Sequence, residues 1–167
     1  MKKLNFISIT AIGLVFVSLS GCVSVSIGNS KIEKDLDTKY VAPPKPFVEV
    51  SSSDQDKAWR NQKNGNTISF LSECNDPSDP PLEQIQSGII AEIDNAKTIQ
   101  NDRVEFNSRD AIHSILDGNV DGIPTRFELM VLKKSNCIFI LTYAAVLRDF
   151  ATNQKQFNAF VKSFVVP

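Results

Sequence analysis

The chain has 167 residues, with 18 Lys and Arg against 19 Asp and Glu, one histidine and three cysteines. A formal net charge of −1 gives no electrostatic footprint for nucleic acid or anionic lipid, and one histidine rules out a metal site built on several of them. No GxSxG, P-loop, HExxH or CxxC pattern occurs, which removes the common catalytic and redox signatures and leaves the expectation of a non-enzyme without cofactor.

The chain opens on Lys2 and Lys3, followed by an apolar run over residues 4–19. Interrupted by Ser8, Thr10 and Gly13, the run is short for a membrane span, which needs about 20 residues. It reads as an export signal that ends in small residues. Leu19-Ser20-Gly21-Cys22 closes it and resembles the lipobox of bacterial lipoproteins. The resemblance implies cleavage before Cys22, a diacylglycerol thioether on its sulfur, and palmitate-type acylation of the new N-terminus. Several acyl chains anchor stably where a single one holds marginally. Val23 stands where an Asp would retain an enterobacterial lipoprotein in the inner membrane. The expected location is therefore the outer membrane, facing the periplasm.

Removal of residues 1–21 leaves 146 residues with 16 basic and 19 acidic side chains, enough for one domain and a tail. Residues 22–46 read as a lipidated flexible tether. Small polar residues run to Ser30, charges alternate from Lys31 to Lys39, and Pro43-Pro44-Lys45-Pro46 makes a stiff extended spacer. Residues 47–167 form the single expected domain. Cys74 and Cys137 sit in it at the edges of strand-like runs. In an exported chain a disulfide between them persists, and closing a loop of about 60 residues is worth about 4 kcal/mol. The alternative is two buried thiols that pack as small hydrophobes.

Residues 47–50 suggest a short edge strand. Residues 58–62 and 67–74 flank Asn64-Gly65, a strong hairpin signal; Ile68, Phe70, Ser72 and Cys74 share one face of the second strand. The proline-rich turn at residues 75–81 ends the sheet, and the stripe Leu82, Ile85, Ile89, Ile93 and Ala96 predicts a helix over residues 81–96. From Thr98 the period drops toward two. Turns at residues 107–110, 121–122 and 133–136 divide a four-stranded meander that ends in an apolar central strand, residues 137–146. Phe157, Phe160, Val161 and Phe164 then predict a closing helix over residues 152–164.

Strands, helix, meander, helix is the order of an α+β fold: one antiparallel sheet with two helices packed on it. Four segments, Ala58-Trp59-Arg60, Val120-Asp121-Gly122-Ile123-Pro124, Leu132-Lys133-Lys134-Ser135-Asn136-Cys137 and Phe157-Asn158-Ala159-Phe160-Val161, resemble the sandwich shared by PsbP, the Ran-binding Mog proteins and the bacterial lipoprotein DcrB. The likeness spans residues 47–167 and implies a fold rather than an activity.

Three groups of residues invite a functional reading. Asp117, Asn119, Asp121 and Glu128, with Gly122 between, satisfy the spacing of a calcium loop. Against it stand Pro124, the absence of a second hand, and the alternation of Phe127, Leu129 and Val131, which predicts a strand where the loop needs a helix. A hairpin turn at Asp121-Gly122 explains the segment more simply. His113 and Ser114 would face opposite sides of a strand, so they cannot form a catalytic pair, and a solvated histidine is expected. Trp59 and Arg60, beside the Asn64-Gly65 turn, form a candidate recognition point, since aromatics and Arg dominate binding hot spots; the alternative is a core tryptophan. The expected function is a non-catalytic binding or structural module that docks an envelope protein. The alternatives are a carrier of a small apolar ligand, or a calcium-dependent module.

Overall fold

The computed structural model describes residues 33–166; Cys22 and the signal before it lie outside the described residues. Seven strands form one antiparallel sheet: β1 (Phe47–Val50), β2 (Lys57–Asn61), β3 (Thr67–Cys74), β4 (Asp94–Phe106), β5 (Arg109–Val120), β6 (Ile123–Lys134) and β7 (Cys137–Val146). Helix α1 (Leu82–Ala91) links β3 to β4, and α2 (Phe150–Ser163) follows β7. The strand order is β1-β2-β3-β7-β6-β5-β4, so the meander lies as expected and β3 joins it through β7. This is the α+β fold expected from the element order.

Three two-residue turns shape the meander. Asn107-Ser108 (φ 52° and 58°), Asp121-Gly122 (51° and 77°) and Ser135-Asn136 (53° and 64°) all take left-handed backbone. That hand matches the twist of the flanking strands, and Asn, Asp, Ser and Gly tolerate it best. Helix α1 is shorter than its apolar stripe suggested. The Glu92 N–H caps it on the Ile89 and Ile90 carbonyls, and the chain has turned into β4 by Asp94. Ile93 and Ala96 still pack with Leu116, Phe127 and Leu129. Periodicity located the apolar stripe but misread the backbone and Gln86, which falls opposite the stripe by spacing yet is 4% exposed and bonded to Asn101 and Ser114. Gly118 makes that packing feasible, because a Cβ there would meet Ile93 Cγ2 at 2.3 Å.

The two helices cover opposite faces. Under α2 lie Trp59, Ile68, Phe70, Leu132, Phe139, Leu141 and Tyr143, packed on Phe150, Phe157, Phe160 and Phe164. The other face carries Ile112, Val131, Leu116 and Phe127 beneath Leu82, Ile85 and Ile89 of α1. Strand alternation makes this division: β7 sends Phe139, Leu141 and Tyr143 one way and Ile140 and Ala144 the other.

Residues 33–46, expected in the flexible tether, pack on the domain. The Lys39 and Val165 main chains exchange bonds of 3.0 and 2.7 Å, the Val41 N–H donates to Ser163 Oγ, and Cys74 N–H donates to the Glu33 carbonyl. Tyr40 supplies the reason. Its ring lies 5.0 to 6.2 Å from those of Phe70, Trp59, Phe160 and Phe164, an aromatic cluster that a solvated tether would leave open to water. Apolar area withdrawn from water, at about 25 cal/mol per Å², holds the strap down.

Candidate functional site

Cys74 and Cys137 are bonded, with Cα atoms 4.0 Å apart, and they are register partners at the ends of β3 and β7. The bridge therefore staples the seam where the N-terminal strands meet the meander. Asp35 approaches both sulfurs, but a disulfide has no thiolate to offer a metal.

The calcium spacing is dispersed by the hairpin. Asp117 receives Arg126 Nε at 2.6 Å and Nη2 at 2.9 Å, and those hydrogen bonds hold its carboxyl below the usual range. Asn119 sits opposite Pro124 in the ladder. Asp121 occupies the exposed tip, four strand residues or about 13 Å from Asp117, whereas calcium needs every oxygen within about 2.6 Å. Glu128 is 2% exposed and turned under α2. These residues build the β-hairpin expected at Asp121-Gly122.

Glu128 has a different role. Its Oε1 lies 2.8 Å from His113 Nε2, and its Oε2 accepts from Gln154 Nε2 at 2.9 Å. A buried carboxylate is costly unless bonded, and these two partners satisfy it. His113 is thus half-buried and engaged rather than solvated. Ser114 lies on the opposite face, receiving Gln86 Nε2, so the two cannot cooperate.

A second polar group ties the β2–β3 turn to α2. Asn61, Asn64 and Asn66 direct their amides to Asn153 Oδ1 at 2.9, 3.0 and 3.0 Å. Asn66 also donates to the Tyr143 hydroxyl, which donates to the Phe150 carbonyl. Burial pushes the Tyr143 hydroxyl up to about 12, against roughly 10 in an unfolded chain. The folded state holds the neutral phenol, so this stability is complete below pH 10 and lost as pH rises from 10 to 12. The shift corresponds to roughly 2–3 kcal/mol. Tyr143→Phe should flatten the alkaline limb of a denaturation series across about pH 9 to 12.

Trp59 and Arg60 point opposite ways. Trp59 is 3% exposed, wedged among Tyr40, Phe70 and Phe160, so its recognition role is corrected to a core role. Arg60 is exposed and faces the surface that α2 does not cover. Helix α1 packs on β4, β5 and β6, so among the described residues no helix covers this face over β1, β2 and β3. Val48 and Val50 stand on it, 44% and 39% exposed. Two shallow open depressions meet there, one lined by Val48, Val50, Arg60 and Gly65, the other by Lys45, Val48, Gln62 and Lys63. Arg60 was legible in the sequence. Its neighbours were not, although the Val48–Val50 alternation signalled one apolar face with no partner in view.

No protein-family model and no curated protein matches the chain. Solved structures do share its fold. Cyanobacterial PsbP (CyanoP) from Synechocystis sp. PCC 6803 superposes with a TM-score of 0.58 at 12% identity, covering 89% of this chain and 99% of its own. LpqN of Mycobacterium tuberculosis, described as involved in cell envelope biogenesis, gives 0.55 at 11% identity over 77% and 83% of the two chains. The protein of unknown function PA94 from Pseudomonas aeruginosa gives 0.53 at 10% identity over 84% and 88%. The fold is PsbP-like.

Proposed function

We propose that this chain is a lipid-anchored protein of the bacterial cell envelope that acts as a non-catalytic, protein-binding module. The observation that carries the binding role is the sheet face over β1–β3, apolar at Val48 and Val50 and covered by no helix among the described residues. A filled interior disfavours the carrier reading: twelve large side chains are fully buried, and the depressions that stand out are shallow and superficial. The His113–Glu128 pair is read as a structural link between sheet and α2, since Glu128 also accepts from Gln154 of that helix. The anchor rests on Leu19-Ser20-Gly21-Cys22. Among the described residues no helix is long and apolar enough to cross a membrane. That LpqN, of the same fold, is described in envelope biogenesis adds support.

Cys22→Ser should leave an unprocessed precursor and abolish labelling by an alkyne fatty acid; labelling that persists would remove the anchor. The binding role is tested in native envelopes with a photoreactive residue placed in turn at exposed positions of the full chain. A discrete crosslinked protein is expected. Crosslinks to lipid alone, or none at any position, would overturn it.

A further inference from the structure

We propose that the open edge of β1 binds an extended acidic peptide, which adds to the sheet as a further strand and directs its carboxylates to Lys45, Arg60 and Lys63. This rests on the protein-binding reading and names the class of partner.

The main chain supplies the first part. Asn61 spends its N–H on the Asn66 carbonyl and its C=O on the Gly65 N–H, both toward β3. Bonding direction alternates along an antiparallel strand, so Arg60 and Ala58 bond Val48 and Val50, their register partners on β1. Glu49, opposite Trp59, therefore turns both its main-chain groups outward. Phe47 gives its N–H to the Pro44 carbonyl and leaves its C=O at the edge. Such a row is a template for another strand.

Side chains then select the partner. Val48 and Val50 lie on the face without a helix, where a docked strand would place two apolar residues beside them. Lys45, Arg60 and Lys63 surround Val48, and among the described residues none of the three forms an ion pair. In a chain of net negative charge, that local cationic cluster complements carboxylates. The nearby acids are engaged: Glu49 receives Lys57 Nζ at 2.6 Å, and Asp54 receives the Ser53 hydroxyl. The opposite edge is differently made. β4 carries register shifts at Asp94/Lys97 and Thr98/Gln100, and Arg103 there is tied to Glu83 and Asp110. Bulges and paired charges of this kind blunt an edge; β1 has an unbroken register.

The test uses the full chain in a neutral detergent and the labelled peptide acetyl-Glu-Glu-Val-Thr-Val-Glu-Glu-amide, symmetric enough to serve either strand direction. Binding is read by fluorescence anisotropy and located by amide chemical shifts. Shifts along β1 are expected. At least tenfold weaker binding is expected for the peptide with lysines in place of glutamates, for one N-methylated at alternate residues, and for the Arg60→Glu/Lys63→Glu variant. Equal binding of acidic and basic peptides, no loss in that variant, or shifts centred on β4 would overturn the proposal. So would an environment-sensitive label at position 48 that responds to anionic phosphatidylglycerol vesicles and not to the peptide, which would indicate a lipid surface. A discrete protein crosslinked elsewhere, with no peptide bound at β1, defeats this assignment and leaves the protein-binding reading standing.

Discussion

Serine at both Cys74 and Cys137 is expected to cost about 4 kcal/mol of stability. The bridge spans 63 residues of sequence, and releasing a loop of that length returns about this much conformational freedom to the unfolded chain. Total stability of a domain is only about 5–15 kcal/mol, so the loss is a large share of it. The melting midpoint should fall by roughly 10–20 °C, and reduction of the wild type should reproduce the shift. The site of the bridge adds a structural consequence. β3 and β7 form the pairing that joins strands β1–β3 to the meander, so opening should appear first as loss of hydrogen-exchange protection along this seam. Two free thiols per denatured, unreduced mature chain would refute the bridge, and an unchanged midpoint on reduction would refute its weight.

Phe160→Ala should be comparably damaging, at about 3–5 kcal/mol. Phe160 is 2% exposed, and its ring meets those of Tyr40, Trp59, Phe70 and Phe164. Removing it leaves a cavity bounded by the sheet below and the strap beside it. Tyr40→Ala should cost less, because Tyr40 is only half-buried and its strap can relax outward. Its distinct signature is rapid proteolysis within residues 33–46 while the remaining core stays resistant. The two losses should add to more or less than their sum, since both rings share one cluster. Additivity within a few tenths of a kcal/mol, or strap proteolysis unchanged by Tyr40→Ala, would show that the strap and core do not support one another.

The elements of the domain and most of their inward faces were legible in the linear pattern. Apolar alternation, three- and four-residue spacing, and turn residues act over a few positions, so they survive without knowledge of the fold. Asp121-Gly122 formed its hairpin, and Ile68, Phe70 and Cys74 shared their side of β3, for that reason. Ile93 marks the limit of such a pattern, since a buried position was legible and the helix end was not. Which side chains meet depends on how the elements pack in space. Trp59 went to the core and Arg60 to the surface because α2 covers one face of β2 and, among the described residues, no helix covers the other. Tyr40 became part of the core because Phe160 and Phe164, some 120 positions later, leave room for a ring. Glu128, which looked like a calcium ligand in the linear spacing, found His113 and Gln154 instead. Strand order brings those three residues together across two strands and a helix, and local pattern carries no record of strand order.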